Sequence, residues 1–148
     1  MVGSETALGS GALDTAAGTT LDANQAVSLG NALNLAGPLT LAGSNDMTFN
    51  GAVAGAGRLV KTGDATLSLS GDNSYLGGTS LQGGTLVLGS DSALGAGPLA
   101  TADGTALDSS QAVTLANAVD VAGNLTIGGS DDLALSGTVS GTGRLFKA

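Results

Sequence analysis

Apolar residues along this chain fall in pairs separated by a single residue: Val27 and Leu29, Leu33 and Leu35, Leu39 and Leu41, Met47 and Phe49, Leu67 and Leu69, Leu86 and Leu88. A period of two puts both members of a pair on one side of an extended segment. The pattern therefore predicts short strands with one buried face. Where the pairs are dense they recur about every six to eight residues, and Gly, Asn, Asp or Ser punctuates them as turn residues do. No run suited to an amphipathic helix competes with them.

A longer regularity lies over the short one. "ETALGSGALDTAAGTTLDANQAVSLGNALNLAG" from Glu5 aligns without a gap on "DSALGAGPLATADGTALDSSQAVTLANAVDVAG" from Asp91, and the match continues to Lys61 and Lys147. Gln25 is matched by Gln111, a period of 86 residues (111 minus 25). Residues 4–61 thus repeat as 90–147, the stretch between them occurs once, and both ends read as cut from a longer array. Short strands, tight turns and scarce hairpin signals (Asn50-Gly51 is the one Asn-Gly pair) disfavour a sandwich. An 86-residue unit divides instead into four coils of about 21 residues with three short strands each. The expectation is all-β: a right-handed parallel β-helix (β-solenoid) of about seven coils of roughly 21 residues. It would form one segment over 1–148, about 34 Å long.

Composition supports a narrow interior. Phe49, Tyr75 and Phe146 are the only aromatic residues, so Leu, Val and Ala must fill the core. The 26 glycines follow no Gly-X-Y period, which removes collagen, and apolar pairs interrupt them too regularly for a flexible linker. Twelve acidic residues face four basic ones, a net charge of −8, which disfavours nucleic acid and anionic membranes as partners. There is no Cys or His, so disulfides and thiolate or imidazole metal sites are excluded. No apolar run approaches the roughly 20 residues of a membrane helix, so no direct membrane insertion is expected of this segment. Met1-Val2-Gly3-Ser4 lacks the character of a signal peptide, and any export signal is expected elsewhere.

The segment "GAGRLVKTGDATLSLSGDNSYLGGTSLQGGTLVLG" resembles the passenger-associated transport repeat of bacterial autotransporters. That motif runs G-x-G-x-L-x-K-x-G-x-x-T-L-x-L-S-G-x-N-x-Y-x-G-G-T and then G-G-T-L-x-L. Residues 55–88 supply it, among them Lys61, Asn73, Tyr75 and both Gly-Gly-Thr triplets. The resemblance implies a passenger region of type V secretion, folded as a β-helix outside the cell or on the surface of a Gram-negative bacterium. It points to a non-catalytic stalk of an adhesin-like protein, with neighbouring coils of the parent passenger as partners. The alternative is a module that binds a glycan or host-surface protein through an outer face.

Tyr75, with Asn73 and Thr79, is the candidate surface recognition group, since an aromatic face suits a sugar; the competing reading packs Tyr75 over a corner, bonded to backbone. Asp131-Asp132 and Asn45-Asp46 could offer oxygens to calcium. The calcium-binding β-roll nonapeptide is lacking, however, so no metal and no cofactor are expected. Arg58 with Lys61 and Arg144 with Lys147 read as a solvated outer face. The Gly-Gly-Thr triplets read as corners, since no lysine and helix follow as phosphate loops require. No convergence of acids suggests catalysis. End-to-end self-association is expected from exposed strand edges.

Overall fold

The computed structural model describes residues 1–148, and every regular element in it is a strand. The strands wind as seven coils. The first holds β1 (Leu13–Thr15), β2 (Thr19–Leu21) and β3 (Val27–Leu29). The second holds β4 (Leu33–Leu35), β5 (Leu39–Leu41) and β6 (Met47–Phe49), and the third β7 (Val53–Gly55), β8 (Leu59–Lys61) and β9 (Thr66–Leu69). The fourth has only β10 (Thr79–Leu81) and β11 (Thr85–Leu88), and the fifth only β12 (Leu99–Thr101) and β13 (Thr105–Ser109). The sixth holds β14 (Val113–Leu115), β15 (Val119–Val121) and β16 (Asn124–Ile127). The last holds β17 (Leu133–Leu135), β18 (Val139–Ser140) and β19 (Arg144–Lys147).

Each strand pairs in parallel with its counterpart one coil away, which makes the fold a β-solenoid with three faces. The second face is continuous from β2 to β18 and the third from β3 to β19. The first face is a ladder of β1, β4 and β7 and, beyond a gap, of β14 and β17. The alternating pairs are the reason. Leu39, Leu59, Leu99 and Val119 lie in one inward column of the second face, and Met47, Leu67, Leu86 and Leu107 in one of the third. They belong to a single core of 27 buried residues.

The coil is shorter than the sequence suggested. Leu39 pairs with Leu59, Leu59 with Thr79 and Thr79 with Leu99, a spacing of 20 residues, and the third face departs from it only at Leu67–Leu86–Leu107. Four such coils take about 80 residues, so the 86-residue period exceeds them by about six, the step from one face to the next. The two copies are consequently rotated by one face. Val27 lies on the third face but its mate Val113 on the first; Leu33 lies on the first and Val119 on the second; Leu39 lies on the second and Leu125 on the third.

Corner chemistry survives that rotation because it is set by the residue about one coil earlier, whatever the face. Gln25 Nε2 donates to the Gly3 carbonyl at 2.6 Å and Gln111 Nε2 to that of Gly89 at 2.7 Å. Asn31 Nδ2 donates to Gly9 and Gly11, and Asn117 Nδ2 to Gly95 and Gly97. Close stacking also demands glycine at one corner: a Cβ on Gly57 would collide with the Gly37 carbonyl one coil below.

The two ends differ. Residues 1–12 close the N-terminal side in part, with Val2 bridging to Ala23 and Leu8 packed against the core. At the other end β18 and β19 are exposed, with Leu145 47% and Phe146 48% accessible. No helix is long and apolar enough to cross a membrane.

Candidate functional site

The stretch from Leu59 to Leu88 carries the residues singled out above, and the structure turns nearly all of them inward. Leu59 and Lys61 have the same parity on β8, so both enter the interior. Lys61 is 1% exposed, in a column between Leu41 and Leu81. The expectation of a solvated outer face therefore fails for Lys61, because alternation that buries Leu59 must bury it too.

Its ammonium has three donors, and three carbonyl oxygens receive them: Thr62 at 2.6 Å, Gly63 at 2.9 Å and Gly83 at 3.4 Å. Gly83 belongs to the next coil, so this one side chain ties two coils together. Burial pushes the amine below the ordinary lysine value, against the opposing pull of the Asp64 and Asp46 carboxylates. Lys147 repeats the arrangement on the last strand, donating to Gly128 at 3.1 Å and Ala148 at 3.2 Å while remaining exposed. Arg58 and Arg144 are exposed, as expected.

Tyr75, Asn73 and Thr79 are also buried, with Tyr75 at 0%. None presents a face to a ligand, which corrects their assignment as a surface recognition group. The physical reason is a column of mixed size. Tyr75 follows Gly55 on the coil below and precedes Gly95 on the coil above, and neither neighbour carries a side chain to compete for the interior. Its hydroxyl meets Thr79 Oγ1 at 2.6 Å rather than backbone.

Asn73 occupies the gap in the first face. Elsewhere on that face an amide bonds a carbonyl of the next coil, as Leu33 N–H does with Ala52 at 2.9 Å. Val53 N–H instead donates to Asn73 Oδ1 at 2.8 Å, and Asn73 Nδ2 donates to the Ala93 carbonyl at 2.6 Å. The amide side chain thus replaces a missing rung and joins coils three, four and five. No buried side-chain nitrogen or oxygen is left without a partner. The Gly-Gly-Thr triplets are corners, with Gly78 at φ 83° and Gly84 at φ 69°, values that side chains strongly disfavour.

Burial also sets a pH limit. It raises the Tyr75 hydroxyl to about 12, with the Thr79 hydrogen bond opposing. A group whose folded value lies above its unfolded value near 10 contributes fully below the latter and loses that contribution as pH climbs through the former. With one tyrosine and no tryptophan, phenolate absorbance reads this group alone. Titration is expected near pH 12 or in step with unfolding; a midpoint near 10 with the fold intact would refute the buried placement.

The Asn45-Asp46 pair has structural partners. Asp46 Oδ1 accepts the Thr66 N–H at 2.7 Å, and Asn45 Nδ2 donates to the Ala23 carbonyl at 2.9 Å. Asp131 and Asp132 are exposed and border a 640 Å³ cleft at the open end that Ile127 and Lys147 also line. No three acidic side chains converge as cation ligands. Asp22 and Asp108, repeat mates, each accept a serine hydroxyl at 2.6 Å, from Ser44 and Ser130. The Ser44 hydroxyl chiefly holds Asp22 below the usual carboxylate value. At Asp108 burial pulls upward but is outweighed by Ser130, the Ser109 amide and Lys147. Sequence reasoning missed these clasps, although Asp-to-Ser spacings of 22 residues recur in both copies.

Parallel coils with side chains spent on joining them define a β-solenoid built for length. Within it, residues 59–88 match the family model of the passenger-associated-transport-repeat. The match lies on coils three and four and agrees with the resemblance carried by residues 55–88. No curated protein and no solved structure matches the chain.

Proposed function

We propose that this chain is a spacer: a stalk segment of an autotransporter-like bacterial passenger, exported and displayed outside the cell, without catalysis of its own. The observation that carries this reading is where the transport repeat spends its distinctive residues. Lys61 and Asn73 bond backbone groups of adjacent coils, Tyr75 and Thr79 bond each other in the interior, and none of the four faces solvent. Once one coil is in place its edge templates the next, so length is added by repetition.

The test is display. Fused ahead of an outer-membrane translocator barrel in a Gram-negative host, the chain is expected on intact cells, where antibody and added protease reach it. Retention in the periplasm, while another β-solenoid passenger passes through the same barrel, would overturn the proposal.

A further inference from the structure

The first face changes its bonding at the fifth coil. Ser90–Gly97, which crosses that face between β11 and β12, forms a turn instead of a strand. Ala93 N–H and Gly95 N–H donate within it, to the Ser90 and Ser92 carbonyls at 3.2 and 3.0 Å. The turn takes up one residue more than the usual coil, since Leu86 on β11 pairs with Leu107 on β13, 21 positions on. Amides spent on their own segment cannot reach the next coil, and no backbone–backbone hydrogen bond joins Ser90–Gly97 to the sixth coil. Side chains close that boundary instead. Asp91 Oδ1 accepts the Thr114 N–H at 2.7 Å, and Asn117 Nδ2 donates to the Gly95 and Gly97 carbonyls at 3.0 and 2.6 Å.

The other two faces are unbroken at the same level. β12 pairs with β15 and β13 with β16, and Ala122 N–H bonds the Thr101 carbonyl at 3.1 Å and Gly128 N–H the Leu107 carbonyl at 2.7 Å. Between coils four and five even the first face keeps backbone rungs, from Asn73 N–H to Ser92 and from Ala96 N–H to Tyr75. The discontinuity is therefore confined to one boundary and one face.

We infer that this boundary is an elbow, at which the first face opens between coils five and six while the paired second and third faces act as the hinge. A rung between two strands cannot part without dragging its neighbours, whereas a side-chain bond lets go when Asp91 or Asn117 changes rotamer and both main chains stay in place. The direction of motion follows. Lengthening the second or third face would break a run of backbone bonds, and lengthening the first face releases only three from side chains. The rod thus bends in one plane, away from the first face. Leu94, Val113 and Leu115, buried on either side of the seam, hold the closed form as the resting state.

Two measurements on the whole chain test the elbow. Hydrogen exchange compares three amides at one coil boundary, and Thr114 is expected to exchange at least about tenfold faster than Ala122 and Gly128. Spin labels read the bend itself, and with no native cysteine each pair can be placed specifically. Asn34→Cys with Thr114→Cys on the outside of the first face, and Thr40→Cys with Asp120→Cys on the outside of the second, both span coils two to six, about 19 Å along the axis. The first-face pair should show a distance distribution at least about twice as wide as the second-face pair, with the excess on the long side. Asp91→Ala with Asn117→Ala should widen it further and leave the second-face distribution unchanged; the unsubstituted comparison decides by itself should that variant lose its circular dichroism. Equal widths, equal exchange at the three amides, or a variant that widens both pairs alike would overturn the inference. Because all are read on the isolated chain, failure here is separable from failure of surface display.

Discussion

Leu86→Ala is expected to cost about 2–5 kcal/mol of stability, among the largest losses available to a conservative change in this molecule. Leu86 is fully buried on the third face, with Leu67 on the coil before and Leu107 on the coil after. Backbone ladders hold these coils about 4.8 Å apart, so the neighbours cannot close into the space a leucine leaves. Urea unfolding measures the loss as a shift in midpoint. The same substitution at Leu145, half exposed at the end of the stack, is expected to cost less than about 1 kcal/mol. Equal losses at both sites would show that burial between coils does not govern stability.

Asn73→Ala is expected to cost about 2–4 kcal/mol for a different reason. It removes little apolar surface but strands two buried backbone groups, the Val53 N–H and the Ala93 carbonyl, and an unmet buried polar group costs about 1–3 kcal/mol. Hydrogen exchange gives the local readout. The Val53 amide should exchange at least about tenfold faster in the variant, while the Leu33 amide, bonded to the Ala52 carbonyl, keeps its protection. Unchanged protection at Val53 would mean that Asn73 is not the rung.

Much of the fold was legible because strand and stack obey one rule. Leu33-x-Leu35, Leu39-x-Leu41 and Met47-x-Phe49 all became strands with both apolar residues buried. The same parity rule, carried from Leu59 to Lys61, places the lysine inside, although its charge alone suggests the outer face. The coil length was less visible because the 86-residue copy is the louder signal. A quieter one was present in Gly37, Gly57, Gly77 and Gly97, spaced by 20, each set where a coil passes too close for a Cβ. Tyr75 could not be placed from its own surroundings in sequence. Its burial depends on Gly55 and Gly95, twenty residues to either side.

The orientation of the hydrogen bonds has a mechanical consequence. Bonds such as Leu39 N–H to Arg58 and Leu59 N–H to Gly78 run from coil to coil, along the long axis, so tension applied at the two ends meets them one coil at a time. Such a rod peels instead of shearing. Each coil that yields releases 20 residues of chain, roughly 66–72 Å when extended, in exchange for a rise of about 4.8 Å. Under pull the stalk would lengthen more than tenfold per coil surrendered, while the coils still wound keep their core, and slackening would let the exposed edge rewind the chain it had let go.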